Sequence, residues 1–273
     1  MPSKQKAFDK KIKELITAAD KAENAEVVKA IRLLDEARKS VASTVATTEW
    51  QSWHLPQLQT AIERALGEFA RQYGMELGES QGRFWTDGVN MVDLPLRTVG
   101  ITAIIPAIDT AALTAMQNYS RHLVRSLGQD AASKIYNEMA VGMIGQKTPF
   151  EVMEAVGKNL KDPGIFHSIA ARAETITRVE CGRALEMASQ ARLEQAASAV
   201  PGLQKQWVYG AAHRKMRRLA HLAINGQVRD VDKPFTVNGA ALMHPRDPAG
   251  PARETINCRC YSAPYMANWE AAA

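Results

Sequence analysis

The segment Ile165–Ala199, IFHSIAARAETITRVECGRALEMASQARLEQAASA, divides the chain into two parts of different character. Its alanine-rich composition predicts one long α-helix, which Pro201-Gly202 ends. Before this helix, apolar residues recur at three- and four-residue spacing, whereas short apolar runs alternate with turn signals after it. The sequence therefore predicts a mainly α protein with extended N-terminal helices and a small C-terminal α+β module.

Helical spacing is clear over residues 5–46, where lysine and glutamate fill the other faces and no glycine or proline interrupts. Forty helical residues extend about 60 Å, which is too long for a compact domain to bury fully. Two interpretations stay open: a packed surface or coiled-coil helix, and an arm that grips a partner. The apolar positions of this helix are Phe8, Ile12, Leu15, Ile16, Ala19, Val27, Ile31, Leu34, Ala37 and Val41.

Further helices are expected before Ile165, so that residues 1–170 are almost entirely helical. A threonine cap followed by proline, Thr148-Pro149, predicts the start of one of them. The predicted bounds in chain order are a helix over Gln57–Tyr73, an irregular stretch over Gly74–Gly100, and helices over Pro106–Gly128, Asp130–Gly145 and Phe150–Leu160.

All strands are expected beyond Gly202. The dipeptides Asn225-Gly226 and Asn238-Gly239 and a proline-rich stretch over 244–251 are turn signals between short runs of strand-forming residues. A strongly basic helix is expected over His213–Ala223. The predicted strands cover Gln206–Tyr209, Phe235–Val237, Ala241–Met243 and Thr255–Ala263.

The composition is that of an ordinary folded protein, with 273 residues of which 46% are hydrophobic and 23% are charged. No run approaches the ~18 uncharged apolar residues of a membrane helix. The polar N-terminus lacks the apolar segment of a secretory signal. We therefore expect a soluble, intracellular protein that does not contact a membrane.

The positive charge is concentrated near the C-terminus. Residues 171–261 contain 14 Lys/Arg and 8 Asp/Glu, whereas the rest contains 20 basic and 21 acidic residues. Such asymmetry favours a polyanionic neighbour, either nucleic acid or an acidic protein surface, although a solvated basic face with no partner fits equally well. The basic residues expected to contact phosphates are Arg214, Lys215, Arg217 and Arg218.

The motif Asn257-Cys258-Arg259-Cys260 is the sharpest local feature of the chain. In a strand, residues two apart share a face, so both thiols would point the same way. Two thiols with an imidazole are ligands that zinc prefers. The zinc site is predicted to comprise Cys258, Cys260, His221 and His244, with His213 and Asp247 as other donors. The alternative is that both cysteines are buried as small apolar residues without metal.

Catalytic signatures are missing from the sequence. It contains no phosphate-binding P-loop, no dinucleotide-binding glycine motif and no nucleophile elbow. A metal-dependent hydrolase that uses the Cys/His cluster ranks last, because cysteine-rich metal sites are usually closed. We therefore expect no enzymatic activity and no catalytic residues.

The C-terminal third resembles the phage Mu F-like minor head protein, or head-morphogenesis, family. A tryptophan, an Arg-x-x-x-His motif, a Gly-Gln pair and a closing Asn-Cys-Arg-Cys carry the resemblance in order and spacing. The matching residues are Ala171–Glu180, Gln206-Trp207, Arg217, His221, Asn225–Val228, Phe235, Gly239, Pro245, Asp247-Pro248, Pro251 and Ile256–Cys260.

This resemblance implies a minor capsid protein of a tailed phage or prophage, located inside the head and in the host cytoplasm during assembly. It implies contact with the portal protein, and the other expected partners are the major capsid or scaffold protein and phage DNA bound without sequence preference. Roles in DNA packaging or ejection follow, with a DNA-binding ejection protein as the alternative. The expected domains are an N-terminal arm over 1–48, a helical region over 49–170, the Mu F-like domain over 171–264 and a tail over 265–273.

Overall fold

A computed structural model describes residues 2–47, 54–102, 105–145, 147–158, 160–161, 164–210 and 218–267. Helices fill most of the described chain before Gly202, and no strand occurs in that described part, as the sequence predicts. The elements are α1 (Pro2–Thr47), α2 (Leu55–Thr98), α3 (Ala111–Ile144), α4 (Pro149–Val156), α5 (Ile165–Ala199), β1 (Leu203–Val208), α6 (Leu219–Ala223), β2 (Val228–Asp230), β3 (Phe235–Val237), β4 (Ala240–Leu242), α7 (Ala252–Thr255) and β5 (Tyr261–Met266).

The chain forms two compact units that are interleaved in sequence. The first comprises Met1–Asn24, Ser80–Met116 and Arg178–Ala273, and the second comprises Ala25–Glu79 and Gln117–Thr177. Helices α1, α2, α3 and α5 each contribute residues to both units. The domain bounds predicted from sequence follow chain order instead, and they stay a prediction.

The stretch Gly74–Gly100 is helical as far as Thr98, so the prediction of an irregular segment was wrong. Glycine costs about 1 kcal/mol per helical position relative to alanine, but this penalty is outweighed where the helix buries large apolar side chains. Gly88 permits a close approach, because a Cβ there would lie 2.2 Å from the Leu185 carbonyl oxygen of α5. The buried residues of this half of α2 include Phe84, Trp85, Met91, Val92 and Leu96.

Two further bounds differ from the prediction. The two helices expected on either side of Gly128 are one helix, α3, and Gly128 lies where α3 closely approaches Leu66 and Ala70 of α2. The helix expected over Phe150–Leu160 is confirmed but ends at Val156. The Thr148 cap forms as expected, with its side chain accepting from the Glu151 amide, and the Glu151 side chain completes a capping box.

The core of the first unit includes the beginning of α1. Phe8 and Ile12 are 1% and 8% exposed and belong to one apolar cluster with side chains from α2, α5, β1 and β5. Of the two interpretations of the first helix, packing therefore describes residues 8–12. The other members of the cluster are Val92, Leu96, Val99, Leu193, Ala196, Val200, Leu203, Ala263 and Met266.

The strands form an antiparallel three-stranded sheet of order β2-β1-β5 and a β3–β4 hairpin. Asn238 and Gly239 at the hairpin turn have φ values of 50° and 78°, a geometry for which Asn-Gly is favoured. The strand predicted over Thr255–Ala263 was wrong in its bounds. Helix α7 occupies its start, and the strand begins only at Tyr261, while β2 was not predicted.

The substitution Gly88→Ala is expected to lower the free energy of unfolding by about 2 kcal/mol, because the new methyl group meets fixed backbone of α5. Gly82→Ala on the same helix is the matched control, since a Cβ there would meet no atom of a neighbouring element within 4 Å. It is expected to raise stability by up to about 1 kcal/mol. Urea unfolding measures both, and equal effects of the two substitutions would contradict the close packing.

Candidate metal centre

His221 of α6 lies against both thiols of the Cys-x-Cys motif. Its Nδ1 atom is 3.5 Å from Sγ of Cys258 and 3.6 Å from Sγ of Cys260. All three residues are buried, with exposed fractions of 0%, 1% and 0%. One ligand atom from each of them lies within 4.8 Å of the others, so the predicted convergence is present in the structure.

The two cysteines lie between α7 and β5, so they are not part of a strand as the sequence suggested. Asn257, just before them, has a φ of 57°, a left-handed conformation that asparagine tolerates. The end of β1 passes close by, because a Cβ at Gly210 would lie 1.8 Å from the Arg259 carbonyl oxygen. A tight turn and a glycine contact therefore place the thiols, rather than sheet register.

The imidazole of His221 is held on its other side by a carboxylate. Its Nε2 atom is 3.0 Å from Oε2 of Glu254, and Oε1 of Glu254 accepts a hydrogen bond from Nδ2 of Asn238 at 3.0 Å. The ring also packs edge-on against Trp207, with centroids 5.6 Å apart. These contacts direct Nδ1 towards the sulfur atoms and fix the plane of the ring.

The surroundings of the cluster shift the pKa values of its side chains. Burial opposes a Cys258 thiolate, but hydrogen bonds from Cys260 and His221 and the charge of Arg246 hold its pKa well below the ordinary value. Burial and the neighbouring Cys258 raise the pKa of Cys260. Burial opposes protonation of His221, yet the contacts with Cys258 and Glu254 raise its pKa. The hydrogen bond from Asn238, more than that from His221, lowers the pKa of Glu254.

A buried ion-pair network lies beside the cluster. The Arg246 side chain is 2% exposed, and its Nη2 donates to Oε2 of Glu23 at 3.1 Å. The same carboxylate accepts from Arg178 at 2.9 Å and pairs with Arg259 at 3.6 Å. Gly182 leaves the space that the guanidinium occupies, since a Cβ there would lie 2.2 Å from Cζ of Arg246. One glutamate of α1 thus pairs with three arginines.

The other predicted ligands lie apart from the cluster. His244 is buried, its Nδ1 is 2.8 Å from the Pro245 carbonyl oxygen, and burial lowers its pKa. Asp247 accepts hydrogen bonds from the amides of Met243 and Ala249, which stabilises the turn. Neither belongs to the group of ligand atoms that includes His221.

Most of the residues predicted to contact phosphate fall outside the part of the chain that the structure describes. These are Arg214, Lys215 and Arg217, and His213 lies there with them. Arg218 is half-buried, and its Nη2 donates to the carbonyl oxygen of Ile256, the residue directly before the Asn257–Cys260 motif. Nucleic-acid contact through these residues stays a prediction.

Sequence reasoning missed Glu254, Glu23 and Arg246. A carboxylate four residues before Cys258 was a usable signal, because carboxylates commonly orient metal-binding histidines. No comparable pattern marks the partners Glu23 and Arg246, which are 223 residues apart in sequence.

Comparisons with known proteins match part of the chain. Residues 151–263 match the family described as Phage Mu protein F like protein, which confirms the suspected resemblance over that range. A relative from Bacillus subtilis (strain 168), named "Uncharacterized protein YqbB", is 33% identical over 109 residues. That alignment covers 39% of this chain and only 34% of the relative, and no solved structure matches.

The substitution Glu23→Gln is expected to lower the free energy of unfolding by about 3 kcal/mol, because it leaves buried arginines without their anionic partner. Glu14→Gln on the same helix is the control. Its ion pairs with Lys10 and Lys11 are exposed, so a change within about 0.5 kcal/mol is expected. Denaturant unfolding at neutral pH measures both, and a small effect at Glu23 would contradict the central role of that carboxylate.

Lys205 of β1 gives the fold a specific pH dependence. Its side chain is fully buried, its Nζ donates to Gln190 and to the Met243 carbonyl oxygen, and burial lowers its pKa to about 8. Between that value and the ordinary pKa of ~10.4, the unfolded chain binds more protons, so stability rises with pH.

Relative to a Lys205→Met variant, the unaltered chain is therefore expected to gain up to about 2 kcal/mol of unfolding free energy between pH 7 and pH 10. Urea unfolding of both proteins at several pH values measures this difference. A difference that does not change with pH would show that Lys205 titrates in the fold as it does in water.

Proposed function

We propose that this chain is a structural component of the head of a tailed phage or prophage, and that it acts in head assembly next to the portal. The observation that carries the proposal is the family match over residues 151–263. That range extends from α4 into β5 and includes His221, Glu254 and both clustered cysteines. The matched segment is thus the one whose side chains form the buried cluster.

An assembly role suits the chemistry of the cluster better than catalysis does. Cys258 and Cys260 are 1% and 0% exposed, so a substrate would have no access to either thiol in this conformation.

Among the described helices, none is both long and apolar enough to cross a membrane. The proposed location is the virion interior, and the proposed partners are other head proteins.

Part of the positive charge of the basic segment is used in ion pairs inside the protein. Carboxylates outside residues 171–261 pair with several of its arginines. Glu23 pairs with Arg178 and Arg246, and Asp93 pairs with Arg192 through contacts of 2.6 and 2.7 Å. Two of the six excess positive charges of residues 171–261 are therefore balanced by carboxylates from outside that segment. Phage DNA remains a secondary partner in the proposal, bound without sequence preference and with salt-dependent affinity.

Exposed apolar side chains on α3 are the proposed contact with the portal. Val141 and Ile144 are one turn apart and are 56% and 85% exposed. Large apolar side chains exposed on a helix commonly mark protein interfaces. The neighbouring sequence carries few charges that would oppose such burial, since residues 139–146 contain no Asp, Glu, Lys or Arg.

The test is assembly of heads from portal protein, major capsid protein and this chain in one host. We expect the unaltered chain to co-sediment with heads and the Val141→Glu/Ile144→Glu double variant to do so at least tenfold less. Val28→Glu is the matched control, because Val28 is 67% exposed on α1, and it should be incorporated normally.

Failure of the unaltered chain to enter heads would overturn the proposal. Normal incorporation of a folded double variant would exclude the α3 surface as the contact. Binding of free DNA that persists at high salt, without entry into heads, would favour the DNA-binding ejection protein instead.

A further inference from the structure

We infer that His221, Cys258 and Cys260 bind one zinc ion, which ties α6 to the segment between α7 and β5, and that Glu254 positions the histidine for this purpose. The inference does not depend on the proposed role in phage heads. It rests on the spacing of the three donor atoms, on the hydrogen bond behind the imidazole and on the size of the surrounding core.

The spacing of the donors matches the edges of a zinc tetrahedron. Zinc–sulfur bonds of about 2.3 Å and zinc–nitrogen bonds of about 2.0–2.1 Å at tetrahedral angles separate sulfur from nitrogen by about 3.6 Å. The two distances from Nδ1 of His221 to the sulfur atoms are 3.5 and 3.6 Å. An ion placed between these three atoms therefore requires little rearrangement of the chain.

Glu254 gives His221 the proton arrangement that a metal ligand needs. When Nδ1 is deprotonated, as metal binding requires, the imidazole keeps its proton on Nε2, within 3.0 Å of Oε2 of Glu254, and presents the Nδ1 lone pair towards the sulfur atoms. Metal-binding histidines commonly donate their other ring nitrogen to a carboxylate in this way. Asn238 holds the second carboxylate oxygen, so the orientation is fixed from two sides.

The charges of the site suit a divalent cation. Two thiolates together balance the charge of Zn²⁺, so the occupied site is close to neutral in a buried environment. The three side chains supply three of the four positions of the tetrahedron. No other described His, Cys, Asp or Glu joins the group within 4.8 Å.

The apolar core around the site is small, so a bound metal would add to its stability. Its buried members are Trp207, Phe235, Val237, Leu242 and the two cysteines, so the cysteines are a third of the cluster. Cores of this size often depend on a metal or disulfide, and metal binding to such a site contributes to folding directly. A metal-free S–H···N cluster has similar distances, so metal content must separate the two possibilities.

The experiment measures metal in the full-length chain, purified under reducing conditions without a chelator. Elemental analysis is expected to give about one zinc per chain, and zinc replaced by Co²⁺ should show thiolate-to-cobalt charge-transfer absorption. Cys258→Ser and Cys260→Ser should each lose most of the metal. Cys181→Ser is the matched control, because it removes a buried thiol of α5 that is not in the cluster.

Glu254→Gln tests the positioning role, since it keeps the side-chain shape but weakens the acceptor. We expect zinc affinity to fall about tenfold to 100-fold while one zinc per chain still binds at saturation. A chelator should lower the Tm of the unaltered chain and leave that of Cys258→Ser unchanged.

Three results would overturn the inference. The first is a reduced, folded chain that neither copurifies with zinc nor takes up Zn²⁺ or Co²⁺ in titration. The second is cobalt absorption of the unaltered chain that lacks the thiolate bands, which remains decisive if the cysteine variants fail to fold. The third is full zinc retention in folded Cys258→Ser and Cys260→Ser. None of these measurements depends on entry into heads.

Discussion

The carboxylate of Glu23 is the constraint on which the C-terminal half of the structure depends. It is a buried anion on α1. It forms ion pairs with Arg178 of α5 and with Arg246 and Arg259, which lie outside the helices and strands. Buried charges are tolerated only when they are paired, so the position of α1 and the positions of these arginines determine one another. Arg246, which has Nε and Nη1 without a hydrogen-bond partner among the described residues, depends most on this single anion.

The cysteine cluster is built against that network rather than in isolation. The positive charge of Arg246 helps to lower the pKa of the Cys258 thiol. The guanidinium of Arg246 lies beside the Tyr261 ring at the start of β5. On the opposite side, Glu254 and Asn238 hold the imidazole and connect the cluster to the β3–β4 hairpin. The cluster therefore has the ion-pair network on one side and the hydrogen-bonded imidazole on the other.

Local sequence signals predicted the elements whose ends are chemically marked. Pro201-Gly202 ends α5 at the expected residue, Thr148 caps α4, and Asn238-Gly239 defines the turn that follows β3. The second half of α2 escaped prediction, because its glycines lower helix propensity while the contact of Gly88 with α5 is a tertiary effect.

In the candidate site, too, some residues could be predicted from local sequence and others depend on long-range packing. Identity and spacing of Cys258, Cys260 and His221 were sufficient to predict that they converge, even though the expected strand is a turn followed by extended chain. Glu254 behind the ring had a usable signal, a carboxylate four residues before Cys258, although its contact with His221 depends on long-range packing. Glu23 could not be derived from residue type, because the other glutamates of α1 include a buried one, Glu26, as well as the exposed Glu14 and Glu36.

The interleaved order of the first unit has a consequence for synthesis of the protein. Its three segments lie at the beginning, in the middle and at the end of the chain. A ribosome that has released α1 has not yet produced Arg246, the residue that Glu23 requires 223 positions later. The cluster that buries Phe8 and Ile12 is therefore complete only after β5 has been synthesised, and the unit closes through contacts of high sequence separation. Burial of Phe8 and Ile12 thus becomes a marker that β5 is in place.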